Sequence, residues 1–160
     1  MENTPIWPDE NIESIVTTYQ TKLYRTALAI TGNATDAEDI VQEVFVKLYQ
    51  KQPVFETEAH QTAWLIRVTV NMCKNHLRNH WWKWATQLLE SHPAQTETQA
   101  NTMEAVLALP VKYRVVIHLF YYEGYSTKEI AEITSQKEPT VRQLLSRARG
   151  KLKTLLKGED

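Results

Sequence analysis

A short segment near the end of the chain combines residues whose types and spacing suit the recognition of DNA bases. Ser126 and Glu129 have the spacing of a capping box, in which a hydroxyl and a carboxylate satisfy free backbone amides where a helix begins. Residues 134–137 suit a turn, and Pro139 suits the first turn of a second helix, where its missing N–H is not needed. This order is typical of a helix-turn-helix, a unit that places side chains on base edges in the major groove.

The second helix of this unit, predicted at residues 138–156, has an apolar face and a polar face. Its apolar residues recur at spacings of three and four, as in a stripe that packs on a core: Val141, Leu144, Leu145 and Ala148. Residues on its other faces could contact bases or phosphates: Arg142, Gln143, Ser146, Arg147 and Arg149. The pattern favours DNA binding over the alternative, a solvated helical hairpin in an ordinary bundle.

The charges are distributed unevenly, although the net charge of the chain is only −1. Residues 1–62 contain ten acidic and four basic side chains, whereas residues 137–157 contain seven basic side chains and one acidic one. Residues 63–90 contain four basic side chains and one acidic one. Two separate basic stretches predict two contacts with nucleic acid, since local helix solubility explains one such stretch more easily than two.

Two helices are predicted in the first part of the chain. The first covers residues 9–31 and ends at Gly32 and Asn33. The second begins with another capping-box spacing, Thr35 and Glu38, and has the most regular amphipathic pattern of the chain. Its polar face consists of Asp36, Asp39, Gln42, Glu43 and Lys47. Such a face is either simply solvated or a docking surface for a basic partner helix.

A third and longer helix is predicted over residues 58–84, after a loop at residues 51–55. Its predicted core-facing residues are Leu65, Val68, Met72, Cys73 and Leu77. Residues 85–101 are polar and have little to bury, which is typical of a flexible linker. We therefore expect an all-α protein with two small helical domains, residues 9–84 and 102–160. The helices of the second are predicted at residues 102–108, 111–122, 126–133 and 138–156.

Other features argue against several classes of protein. A single cysteine excludes an internal disulfide and fits the reducing cytoplasm. The apolar runs are too short for a membrane span, and residues 1–5 lack the start of a secretory signal. Without a Gly-rich phosphate loop or a nucleophile elbow, we expect neither an enzyme nor a cofactor. Cys73, His76 and His80 share one helix face, but three ligands on one helix rarely close a zinc site, so no metal is expected.

Several segments, in their order and spacing, resemble the extracytoplasmic-function (ECF) sigma factors of bacterial RNA polymerase, which are part of the sigma-70 family. In the first domain the resemblance rests on residues 36–45, 63–68 and 71–78. In the second domain it rests on residues 109–110, 113–116, 123–126, 129–133, 140–142 and 147–149. The resemblance covers nearly the whole chain and implies an alternative sigma factor that directs promoter-specific initiation.

The resemblance also implies three groups of functional residues. Those that would dock on core RNA polymerase are Asp36, Asp39, Gln42 and Glu43. Those that would melt and read the −10 element of promoter DNA are Trp64, Arg67, Asn71, Lys74, Asn75 and Arg78. Those that would read the −35 element as duplex are Thr140, Arg142, Gln143, Ser146 and Arg147. A further implied partner is an anti-sigma factor, which in this family is often membrane-anchored.

The chain departs from the family pattern in both predicted DNA contacts. Trp81, Trp82 and Trp84 stand where a basic run is usual, and they could instead form an apolar patch for a protein partner. Glu138 would lie near phosphate, and Leu144 replaces a basic residue. Two alternatives stay open: a stand-alone helix-turn-helix regulator that binds operator DNA without polymerase, and an interaction module whose basic helix binds an acidic protein.

Overall fold

The computed structural model describes residues 9–90 and 104–157, and every regular element within those ranges is helical. The chain divides into two compact units, residues 1–73 and 74–160. The predicted all-α, two-domain class is confirmed. None of the described helices is both long enough and apolar enough to cross a membrane.

The first unit begins with two helices joined by a tight break. Helix α1 covers Asp9–Thr31 and helix α2 covers Ala34–Lys51. Gly32 adopts a φ of 71°, a conformation that glycine reaches without strain, and this reverses the chain. The two helices then pack against each other through buried apolar residues: Leu23, Ala27, Ile30, Ala37, Ile40, Val44 and Leu48.

The predicted capping box at the start of α2 is wrong. Asn33 is the N-cap, and its side-chain oxygen accepts a hydrogen bond of 2.9 Å from the Asp36 backbone amide. Because the asparagine already satisfies this amide, the helix begins before Thr35, which lies inside the first turn. Asparagine and threonine both suit caps, and the break at Gly32 decided between them.

Helix α3 covers Glu58–Glu90 and carries a broader buried stripe than the sequence predicts. Leu65, Cys73 and Leu77 are buried as predicted, whereas Val68 and Met72 are only half-buried. The stripe also includes Ile66, Thr69 and Val70. Thr69 is tolerated there because its hydroxyl donates to the Leu65 carbonyl at 2.7 Å, which leaves no unpaired polar group.

Helix α3 also continues past its predicted end at residue 84 and includes the first residues assigned to the linker. The rest of that linker, residues 91–101, lies outside the described part of the chain. The exact domain boundaries therefore stay a prediction.

Besides the part of α3 from residue 74 onward, the second unit contains a helical turn at residues 104–107 and three further helices. Helix α4 covers Val111–Ile117 and runs into a π-helical turn, His118–Tyr122. Helix α5 covers Thr127–Thr134 and helix α6 covers Glu138–Lys157. Both α4 and α5 pack on α6, so α6 is the helix around which this unit is built.

Among the described residues of this unit, two polar side chains are buried. Arg114 is 1% exposed, and its Nε donates to the Leu109 carbonyl at 2.8 Å. Burial lowers the pKa of Arg114 to about 10. His118 is also buried, and its Nε2 lies 2.9 Å from the Glu123 carboxylate. The Arg114 contact connects the segment before α4 to the core, and the His118 contact connects the segment after the π-helical turn to it.

Candidate nucleic-acid interface

The helix-turn-helix is formed by α5, a short turn and α6, as the sequence predicts. Ser126 Oγ accepts from the Glu129 amide at 3.1 Å, and Glu129 Oε1 accepts from the Ser126 amide at 2.8 Å. This reciprocal pair is the predicted capping box. The turn is closed at the other end of α5 by Ser135, whose φ is 57°, and by a bond of 2.9 Å from the Gln136 amide to the Ala131 carbonyl.

Helix α6 separates its buried and exposed residues as predicted. Val141, Leu144, Leu145 and Ala148 are buried against α4 and α5. The five residues predicted to read the −35 duplex are all exposed: Thr140, Arg142, Gln143, Ser146 and Arg147. Leu144, which stands where the family pattern has a basic residue, is buried and belongs to this apolar stripe.

The N-terminal end of α6 carries a charge cluster that spacing alone only partly predicts. Glu138 Oε2 accepts from Arg142 Nη2 at 2.9 Å and from Thr127 Oγ1 at 2.6 Å. The bond from Thr127 holds the pKa of Glu138 below its usual range, and the positive charge of Arg142 acts in the same direction. The spacing of Glu138 and Arg142, four residues apart on one helix, could have predicted their ion pair.

A second arginine of α6 is bound to an aromatic side chain of the same unit. Arg149 Nε donates to Tyr121 Oη at 2.6 Å, and the guanidinium lies 5.9 Å from the centre of the Tyr121 ring. This contact holds the Arg149 side chain against the π-helical turn, at a point along α6 that is distant from the turn between α5 and α6. The sequence analysis predicts for Arg149 only a general contact with bases or phosphates.

The residues predicted to contact the −10 element lie along one face of α3. Asn71, Asn75 and Arg78 are exposed, whereas Trp64, Arg67 and Lys74 are half-buried. Spacings of three and four place this polar stripe opposite the buried one. The side chains of Trp81, Trp82 and Trp84 lie outside the described residues, and so does that of His80.

An aromatic cluster lies where the loop before α3 meets its first turns. The Phe55 ring lies edge-on to His60 at 5.4 Å and to Trp64 at 5.9 Å between ring centres. His60 Nδ1 accepts from the Glu56 amide at 3.2 Å, and Thr57 Oγ1 accepts from the His60 amide at 3.0 Å. Trp64 is among the residues predicted to contact the −10 element, whereas nothing in the sequence singled out His60.

The acidic face of α2 is largely open to solvent. Asp39, Gln42 and Glu43 are exposed, and Asp36, in the first turn, is half-buried. Val46 and Tyr49 lie on the same side, 54% and 50% exposed, so the face combines negative charge with apolar surface. That combination suits a basic partner helix, because charge sets the orientation and apolar contact adds burial.

The described residues offer no candidate metal centre, since no group of three His, Cys, Asp or Glu side chains lies close enough together. Cys73 is fully buried, and burial raises the pKa of its thiol to about 12. A zinc ligand must be a thiolate, so coordination by Cys73 would require α3 to leave its packing.

Comparison with known proteins adds to this geometry. Residues 15–83 match the family model "Sigma-70 region 2", and residues 99–152 match "Sigma-70, region 4". The chain is 30% identical to the ECF RNA polymerase sigma factor SigW of Bacillus subtilis, over 89% of this chain and 87% of that protein. It is 29% identical to SigM of Mycobacterium tuberculosis, over 84% of this chain and 71% of that protein.

Two further similarities concern length and fold. The chain is 30% identical to a probable sigma factor, RfaY, of Xanthomonas campestris, but the match spans only 39% of that protein. Among solved structures, the chain is similar to the sigma factor RpoE of Bartonella quintana, in complex with the anti-sigma factor NepR. There the TM-score is 0.74 at 25% identity, over 92% of this chain and 98% of that one. The CnrH structure, at a TM-score of 0.73 and 22% identity, shows the same fold.

Proposed function

The chain belongs to the ECF sigma factors of the sigma-70 family, and on that premise we propose that it carries core RNA polymerase to a promoter by three separate surfaces. One surface reads duplex DNA, one captures a melted strand and one docks on the enzyme. The observation that carries this proposal is the order of a region 2 and a region 4 match in one chain, with an exposed basic face on the helix-turn-helix. The protein contributes specificity, and the polymerase performs the synthesis of RNA.

The exposed face of α6 is the proposed −35 contact. An α-helix fits the major groove, where an arginine can donate two hydrogen bonds to O6 and N7 of guanine. Arg142 and Arg147 supply that chemistry, and Gln143 suits adenine. Thr140 and Ser146 supply hydroxyls to bases or phosphates. The buried stripe on the opposite side fixes the rotation of α6 about its own axis, because any rotation would expose Val141 and Leu145. The same residues of α6 therefore always face the DNA groove.

The polar stripe of α3 and the nearby aromatic cluster are the proposed −10 contact. Arg67, Lys74 and Arg78 can bind phosphates, while Asn71 and Asn75 can read base edges. A melted strand also requires surfaces on which unpaired bases stack, and stacking on an aromatic ring contributes about 1–3 kcal/mol per base. Trp64 and Phe55 lie beside the stripe and supply such surfaces.

The acidic face of α2 is the proposed contact with polymerase. Asp39 and Glu43 are spaced to meet a basic helix along one line, with Gln42 between them and Asp36 one turn earlier. We propose that this surface determines association with the enzyme in the cytoplasm. An anti-sigma factor is the further proposed partner, since the RpoE relative was solved with one.

In vitro transcription tests the proposal. The full chain would be mixed with purified core RNA polymerase and a genomic DNA library, and the transcript start sites would be mapped. We expect a shared −35 and −10 motif upstream of the starts that depend on the added chain. The alternative, a stand-alone regulator, predicts specific binding to duplex DNA without polymerase and no new start sites.

A further inference from the structure

Glu138 is the only acidic residue between positions 137 and 157, a segment with seven basic side chains. It lies at the first residue of α6, the end of a recognition helix that approaches the base edges. A carboxylate there repels DNA phosphates. Its favourable interaction with the N-terminus of the helix explains an acid at this position but does not explain its contacts.

Those contacts connect three parts of the helix-turn-helix. Thr127, the first residue of α5, donates to Glu138 Oε2 at 2.6 Å, and Arg142 Nη2 donates to the same oxygen at 2.9 Å. The Arg142 side chain stays 65% exposed, while that of Glu138 is 33% exposed. The carboxylate thus holds an exposed guanidinium from one side, and Thr127 holds the carboxylate.

The chemistry of arginine shows what this arrangement achieves. A guanidinium is planar and has five N–H donors, so one bond to Glu138 leaves enough donors for a second, bidentate partner. Holding one edge of the plane removes much of the freedom of a long side chain before DNA binds, which lowers the entropic cost of binding.

The charge of Glu138 also separates two kinds of DNA acceptor. A phosphate bound to Arg142 would lie close to the carboxylate and would be repelled. The edge of guanine is uncharged, and its O6 and N7 accept without that repulsion. The cluster therefore disfavours the use of Arg142 as a general phosphate contact and favours its use on a base.

We propose that Glu138 is a positioning residue for base recognition: together with Thr127 it orients Arg142 toward one guanine of the −35 duplex and prevents Arg142 from binding phosphate instead. This inference rests on the proposed function, in which α6 reads the duplex. It makes the sequence preference at one base pair depend on a residue that does not itself touch that guanine.

The experiment uses holoenzyme assembled from core polymerase and the full chain, with promoters randomised across the −35 segment and transcripts counted by sequencing. We expect Glu138→Gln to reduce the preference for guanine at one position by about two- to fivefold, the range for an exposed charge pair, and to raise transcription from promoters without the motif. Arg142→Ala should remove the same preference, and the double variant should lose no more than Arg142→Ala alone.

Two controls separate orientation from charge and from folding. Glu138→Asp keeps the charge at the start of the helix but is one methylene too short to bridge Thr127 and Arg142. We expect it to reduce the guanine preference without raising transcription from promoters that lack the motif. Glu104→Gln changes the net charge equally but lies before α4, and it should leave the preference unchanged. Thermal unfolding of each variant reports whether it folds.

Three results would separate the possible failures. If the unsubstituted chain selects no −35 bases, the proposed function of α6 fails. If it selects a motif but Glu138→Gln and Glu138→Asp keep the same base preferences, the positioning role of Glu138 is wrong. The positioning role is equally wrong if both variants lower transcription evenly from all promoters, because Glu138 then serves only the stability of the unit.

Discussion

The buried thiol of Cys73 makes the first unit less stable as the pH becomes alkaline. Burial raises the pKa of this thiol from its ordinary value of 9.0 to about 12 in the folded chain. The unfolded chain therefore ionises Cys73 at a lower pH than the folded chain does. The resulting stability is fully present below pH 9 and is lost as the pH rises from about 9 towards 12.

The size of the effect follows from the shift. Each pKa unit corresponds to about 1.4 kcal/mol, so the complete contribution is on the order of 4 kcal/mol, and between pH 8 and pH 10 about 1 kcal/mol is lost. Other groups also titrate in this range, so the prediction concerns the difference between the chain and its Cys73→Ala variant. The variant is expected to be less stable at pH 8, because a cavity replaces the sulfur, but to lose less stability on going to pH 10.

Urea unfolding at both pH values, followed by tryptophan fluorescence, measures this difference. All five tryptophans lie within the first 84 residues, so the signal reports on that part of the chain. Thiol alkylation of the folded chain at pH 8 provides an independent check and should be far slower than that of a free cysteine. Equal losses of stability in both proteins, or rapid alkylation without urea, would refute the reasoning.

Three further predictions concern the surfaces and the turn. Arg147→Ala should lower initiation by about tenfold at promoters with a guanine-containing −35 element, measured by in vitro transcription against Lys157→Ala as control. Asp39→Arg combined with Glu43→Arg should abolish co-elution with core polymerase while changing the unfolding free energy by no more than about 0.5 kcal/mol; normal co-elution would contradict the docking face. Ser135→Gly should raise the unfolding free energy of the second unit by about 0.5–1 kcal/mol in denaturant titrations, because glycine avoids the left-handed strain at a φ of 57° but is more flexible when unfolded; a lower unfolding free energy would contradict this.

Much of the fold was predictable because helical periodicity is a local property. The bounds of α1 and the buried stripe of α6 agree with the sequence prediction to within a residue or two. The capping box of Ser126 and Glu129 was equally predictable, since both partners lie within one turn. The exposed positions on α6 followed directly, because residues off the apolar stripe must face outward.

Other features of the fold could not be predicted, because the local sequence was compatible with more than one structure. At the start of α2 two residues suited the cap, and the chain reversal at Gly32 selected Asn33 over Thr35. A hydropathy pattern treats threonine as a surface residue, but Thr69 is buried in α3 because its hydroxyl donates to a carbonyl of the same helix. The periodicity predicts a continuous α-helix over residues 111–122, because the one extra residue of the π-helical turn after Ile117 leaves little trace in the pattern.

The sequence by itself determined which segments are helical, which faces are apolar and which family pattern the chain follows, because those properties reside in the spacing of neighbouring residues. Only the tertiary structure decided that Arg114 is enclosed, and that Thr127 of one helix holds Glu138 of the next. Such contacts require two elements to meet at a particular distance and angle. Packing sets both, and no local pattern encodes them.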